Sequence, residues 1–177
     1  WYYMLLRLSS IGCATSTKFS LNPCYALGFG CTSTLWGNKI MEIKIGNSAE
    51  YLIISCPEVG ETRAGDDDFY KVILQLHISG ITTSIGAYVM IGELSQFQKD
   101  LSKLYDTLKH SFVFASIEDN VELRFTPDVT GQIEVKGYVR NSDYTATVDF
   151  TIETDQSYLP SIIKQIKEVL TAVESKS

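Results

Sequence analysis

The sequence predicts an α+β domain: an antiparallel meander of about eight strands covered by two amphipathic helices, in the order ββββα-ββββα. Three observations carry this expectation. Eight short segments alternate apolar with polar residues, two longer ones carry apolar stripes spaced by three and four, and most connections are too short for parallel crossovers.

The first hairpin is read from Met41, Ile43 and Ile45, which alternate with polar neighbours before Asn47-Ser48 turns the chain into Tyr51-Leu52-Ile53-Ile54-Ser55. Residues 57–68 gather Pro57, Gly60, Gly65 and the carboxylates Glu58, Glu61, Asp66, Asp67 and Asp68 without an apolar period, and read as an exposed acidic loop. Two long strands follow. Residues 70–79 place Val72, Leu74, Leu76 and Ile78 on one face, and residues 82–91 do the same with Ile85, Ala87, Val89 and Ile91. A helix comes next, because Leu94, Phe97, Leu101, Leu104, Tyr105 and Leu108 recur at helical spacing opposite Gln98, Lys99, Ser102, Lys103 and Asp106. Ser95 with Gln98 fits a capping box at its start, and Gly92 is the other candidate cap.

The second half repeats the plan. Residues 111–117, 121–126, 132–139 and 144–153 alternate, with Asn120, Pro127-Asp128, Gly131 and Asn141-Ser142-Asp143 at the turns. The closing helix, from about residue 158 to 173, carries the stripe Leu159, Ile162, Ile163, Ile166, Val169, Leu170 and Val173. Ser157 is its expected N-cap, and Pro160 lies in the first turn, where a missing amide costs nothing. Ala87-Tyr88-Val89-Met90-Ile91 aligns with Val148-Asp149-Phe150-Thr151-Ile152 at the two strand-to-helix junctions, consistent with internal duplication. Each helix has one apolar stripe to bury against a sheet, which leaves the opposite sheet face to water or a partner.

Residues 1–40 differ from the rest. They hold Arg7, Lys18 and Lys39 and no acidic residue, leaving the other 12 basic and all 21 acidic residues, a balance of −9, to residues 41–177. Cys13, Cys24 and Cys31 also lie there, in a stretch without sustained periodicity. The expectation is that Met41 starts a single domain, residues 41–177, and that residues 1–40 are poorly ordered non-native upstream translation. The competing reading is a secretory or lipoprotein leader, with Met4-Leu5-Leu6-Arg7-Leu8 ahead of Cys13. Its apolar run is broken by Arg7 and Ser9-Ser10, well short of the ~20 residues a membrane span needs. Cys56 is then the only thiol of the domain, expected to be a small buried hydrophobe in a reducing cytoplasm.

A chain of 177 residues, 45% hydrophobic and 20% charged with net charge −6, reads as an ordinary globular protein that needs neither disulfides nor a structural metal. Four cysteines without a CxxC pair and only two histidines argue against zinc frameworks and histidine-rich metal centres, and no glycine-rich phosphate loop is present. No metal or cofactor is expected. His77 lies on the strand face opposite Leu76 and Ile78, and His110 follows the first helix, where the macrodipole favours it without an active site. Cys56 has no neighbouring base, and Asp66-Asp67-Asp68 lacks the alternating spacing of a calcium loop. A domain charge of −9 repels phosphates and argues against a nucleic-acid partner. No catalytic residue is assigned.

Thr154-Asp155-Gln156-Ser157-Tyr158-Leu159-Pro160, followed by Ile162-Ile163 and Ile166, is the most specific run in the chain. With Glu93-Leu94-Ser95-Gln96-Phe97, Leu104-Tyr105-Asp106-Thr107-Leu108-Lys109 and Gly131-Gln132-Ile133-Glu134-Val135-Lys136-Gly137, it resembles the WapI-type immunity proteins over about residues 41–173. These are small bacterial cytoplasmic proteins that neutralise the toxic C-terminal domain of a contact-dependent antibacterial toxin. The resemblance implies a non-catalytic inhibitor, not an enzyme, whose partner is a cognate toxin domain rather than nucleic acid or membrane; it leaves the oligomeric state open. It transfers no catalytic residue. Within the motif, Asp155 or Ser157 is expected to cap, Tyr158 and Leu159 to pack, and Pro160 to fix the first turn. Contacts to the toxin are expected from Glu58, Glu61, Asp66, Asp67 and Asp68, steered toward a basic cleft, and from outward-facing Tyr88, Tyr138 and Tyr144 if they cluster. Two other classes stay open: a secretion chaperone or adaptor that dimerises around a client, and a small-ligand carrier or enzyme with a pocket between sheet and helices that joins His77 or His110 to carboxylates.

Overall fold

The computed structural model describes residues 40–56, 62–63 and 66–175, with the backbone alone at 62–63 and 66–68. The expectation for residues 1–40 falls almost wholly outside the described residues, as do Glu58 and Glu61.

Alternation of apolar and polar side chains sets the strands. In the first half these are β1 (Met41–Gly46), β2 (Tyr51–Cys56), the two-residue β3 (Thr62–Arg63), β4 (Asp66–Ile78) and β5 (Ile81–Met90), followed by α1 (Ile91–Thr107). The second half contributes β6 (Phe112–Ala115), β7 (Val121–Pro127), β8 (Gln132–Arg140) and β9 (Thr147–Asp155), then a 3-10 turn (Gln156–Tyr158) and α2 (Leu159–Glu174). The order ββββα-ββββα holds, with β3 added. Pairing is antiparallel throughout, and the strands fall into two sheets, β1-β2-β4-β5 with β3 beside β4, and β6-β7-β8-β9. The break comes where α1 separates β5 from β6.

One expectation is corrected within the acidic segment. Thr62–Arg63 folds back on β4 through a register shift, so Asp66, Asp67 and Asp68 open a 13-residue strand instead of ending a loop. Three consecutive carboxylates hide the period of two, whereas backbone pairing at a strand end needs no apolar side chain.

The inward faces of both sheets share one core with the helices: Ile43, Leu52, Leu74 and Val89 from the first, Leu123, Phe125, Val135 and Ile152 from the second, and Leu94, Phe97, Ile162 and Ile166 from α1 and α2. Phe97 joins the halves. Its ring lies 4.5 Å from that of Phe114, 5.7 Å from Phe125 and 6.1 Å from Phe112. At the other end of the sheets β1 meets β9: Asn47 Nδ2 donates to the Glu153 carbonyl at 2.8 Å and Thr154 Oγ1 to the Gly46 carbonyl at 3.4 Å. The amide of Lys44 donates to Gln165 Oε1 of α2 at 2.9 Å.

Helix starts also differ from expectation. The Met90 amide donates to the Glu93 carboxylate at 2.9 Å, so the N-cap is Met90, while Ser95, Gln98 and Gly92 lie inside α1. An acidic group in the first turn meets both the free amides and the helix dipole, which Ser95 one turn later cannot. Ahead of α2, Asp155 caps the 3-10 turn, its Oδ1 accepting from the Ser157 amide at 2.8 Å, and α2 itself starts from Tyr158 without a side-chain cap; Ser157 is not the N-cap. Leu159 is fully buried and Pro160 stands in the first turn as expected, but Tyr158 is exposed rather than packed.

Candidate functional site

Period-two geometry sends Glu122, Arg124, Glu134, Lys136, Tyr138, Arg140, Asp149, Thr151 and Glu153 to the face of the second sheet away from the core. This face is polar, and none of the described residues covers it. Its registered rows run Glu122–Tyr138–Asp149 and Arg124–Lys136–Thr151, with Glu134 against Glu153 beyond them. Glu122, Arg124, Lys136, Tyr138 and Asp149 ring a shallow depression of about 520 Å³.

Two loops at the end of the sheet complete the site. In the turn between β6 and β7, Ser116 Oγ accepts from the amides of Asn120 and Val121 at 3.1 and 3.3 Å, and the Arg140 amide donates to the Asn120 carbonyl at 2.8 Å. Between β8 and β9, Asn141 Oδ1 accepts from the Ala146 amide at 2.9 Å and its Nδ2 donates to Thr145 Oγ1 at 2.9 Å. From the turn between β6 and β7, the carboxylate of Asp119 accepts from both the Tyr138 hydroxyl and Arg140 Nη1. The Arg140 guanidinium lies 4.8 Å from the ring centre of Tyr138 and 5.8 Å from that of Tyr144. The Tyr144 hydroxyl donates to the Glu118 carbonyl at 2.9 Å.

Asp119 and Tyr144 both adopt left-handed backbone conformations, with φ of 55° and 59°. Aspartate tolerates this region; a tyrosine there is an outlier that costs of order 1 kcal/mol or more and persists only where the surroundings enforce it. Such strain clusters at functional positions. Here it holds two aromatic rings and an arginine, the side chains most often found at binding hot spots.

The hydrogen bond to Asp119 stabilises the protonated phenol and, with lesser help from burial, pushes the Tyr138 pKa up to about 12. Because the folded value lies above the ordinary one near 10, the stabilisation is fully present below about pH 10 and is lost as pH rises toward 12. Asp119→Ala is expected to bring the Tyr138 titration, followed by the 13Cζ resonance, back toward 10.

Of the expected contact residues, Tyr138 and Tyr144 come together around Arg140. Tyr88 stands apart on β5 of the first sheet, registered against Lys71. Asp66, Asp67 and Asp68 open β4 of that same sheet. Sequence reasoning missed Arg140 and Asp119. A Tyr-x-Arg spacing on one strand places both side chains on one face and could have found Arg140; Asp119, in a turn 19 residues before Tyr138, leaves no local signal.

Among the described residues, the remaining polar candidates are not gathered into a catalytic group. His77 stacks on Tyr51 with ring centres 5.2 Å apart and meets Thr82 Oγ1 at 3.0 Å, Lys44 lies over the same tyrosine ring, and His110 is exposed after α1. Burial pushes the Cys56 thiol up to about 11. The space between sheet and helices bounded by Cys56, Ile91, Leu94 and Val169 is about 10 Å³, too small for a metabolite. Among the described residues, no three His, Cys, Asp or Glu side chains converge as metal ligands, and no helix is long and apolar enough to cross a membrane.

The chain is similar in structure to MRP1/MRP2 of Trypanosoma bruciei, with TM-score 0.42 and 10% identity over 75% of this chain and 84% of that one. Similar likenesses link it to the plant transcriptional regulator PBF-2, with TM-score 0.42, and to WHY1 from Arabidopsis thaliana, with TM-score 0.44, each at 14% identity over 78% of this chain and 88% of the other. At that overlap no functional statement passes from them to this chain. No curated protein matches it. The family comparison is of a different order, because it spans both sheets and both helices: its model, the immunity protein WapI-like family, matches residues 35–174, and the chain belongs to that family.

Proposed function

We propose that this protein is a cytoplasmic immunity protein that neutralises a cognate bacterial toxin domain by binding it, with no bond made or broken. Family membership supports a role in toxin immunity. The observation that carries the binding site is the Tyr138–Arg140–Tyr144 cluster, fixed by Asp119 on a sheet face that none of the described residues covers. Preorganised aromatic and arginine side chains give contact area at low entropic cost. The acidic segment from Glu58 to Asp68 and the net charge of −6 supply attraction toward a basic target from a distance.

The test is co-expression with the C-terminal domain of the toxin encoded immediately upstream of this protein's gene. Growth is expected to be restored, and the two chains are expected to elute as a one-to-one complex. A well-folded protein that neither rescues nor binds that domain overturns the proposal. A homodimer that holds only unfolded client would instead fit a chaperone.

A further inference from the structure

On the outer face of the second sheet, side chains of like charge stand directly opposite each other on paired strands. Arg124 of β7 is registered against Lys136 of β8, and Glu134 of β8 against Glu153 of β9. Beyond the two cations, Glu122 and Asp149 flank Tyr138. The face therefore carries a basic row between two acidic rows. Like charges directly opposite are unfavourable in a sheet, and exchanging one member would turn each pair attractive without touching the core.

The two cations find only weak relief. Arg124 reaches Glu122 at 3.9 Å and Lys136 reaches Glu134 at 2.9 Å, both along their own strands, while their side chains stay 56% and 59% exposed. Ion pairs that open contribute little. Both cations border the depression beside Tyr138.

We infer that this basic row receives one or more acidic side chains of the partner domain, inserted into the depression between Arg124 and Lys136, with basic side chains of the same domain facing the acidic rows on either side. The inference rests on the immunity reading above and adds a polarity that the net charge conceals: an acidic protein grips its target through a central pair of cations. A folded protein suits this pattern better than a nucleic acid. Rows two residues apart along a strand are about 7 Å from each other, so a phosphate backbone laid on the cations would meet carboxylates on both sides.

The experiment uses the full chain with Lys136→Glu and, separately, Arg124→Glu, against the upstream-encoded toxin domain. Because Arg124→Glu sets a carboxylate opposite Lys136 and gives up only the 3.9 Å contact with Glu122, its melting temperature is expected to equal or exceed that of the unmodified protein, while affinity measured by calorimetry falls about tenfold or more. Lys136→Glu, which also breaks the ion pair with Glu134, is expected to weaken binding likewise. Unchanged affinity in both variants overturns the inference and leaves the immunity reading standing, whereas a lack of binding by the unmodified protein overturns both. A clear drop in melting temperature for Arg124→Glu removes the premise of repulsion and overturns the inference. Binding of a single-stranded oligonucleotide that the same substitutions abolish would assign the row to a polyanion and overturn the inference.

Discussion

Replacing Phe97 with alanine is expected to lower the unfolding free energy by about 3–5 kcal/mol, measured by urea denaturation with an unchanged slope. The side chain is fully enclosed, and it lies where a helix of the first half meets the sheet of the second. Its ring touches Phe114, Phe125 and Phe112, and the last two are themselves stacked at 4.8 Å. Removing it opens a cavity among rigid aromatic neighbours that cannot close around the space, which places the cost at the upper end of such substitutions. Phe97→Leu should lose much less, since most of the volume is kept.

Gly137→Ala should cost about 3 kcal/mol, at the top of the range for overpacking. A Cβ at this position of β8 would stand 2.0 Å from the carbonyl oxygen of Glu122 and 3.0 Å from Leu123 Cδ2. The first obstacle is backbone of the paired strand and cannot rotate away, so the two strands must separate. That would also displace the flanking Lys136 and Tyr138, so weakened toxin binding is expected alongside lowered stability. Gly86→Ala is the control: no heavy atom lies within 4 Å of the added carbon, and the change should stay within about 0.5 kcal/mol.

The alternation in Val121, Leu123 and Phe125 and the stripe through Leu94, Phe97, Leu101 and Leu104 were readable because burial on one face imposes a period on composition. The same rule explains what stayed hidden. Division into two sheets depends on β6 not returning to pair with β5 after α1, a long-range choice that no local pattern records. Glu93 as the capping group of α1 was masked by Ser95 and Gln98, which match a capping box by spacing but lie one turn too late. At the candidate site, Tyr138 and Tyr144 could be picked as outward aromatics, yet their meeting around Arg140 involves the left-handed residues Asp119 and Tyr144, and for a tyrosine no propensity favours that conformation. Duplicated order was visible in the sequence. The charge rows were not, since they exist only once the register of three strands is known.

The seam between β1 and β9 has a bearing on how the protein behaves in a crowded solution. A strand at the margin of a sheet offers unsatisfied amides and carbonyls to any passing chain, the usual route to fibrous polymers. Here the two margins shield each other with a few side-chain bonds from Asn47 and Thr154, and Gln165 occupies the Lys44 amide. Self-association along that border is opposed by three polar side chains, Asn47, Gln165 and the buried Thr154.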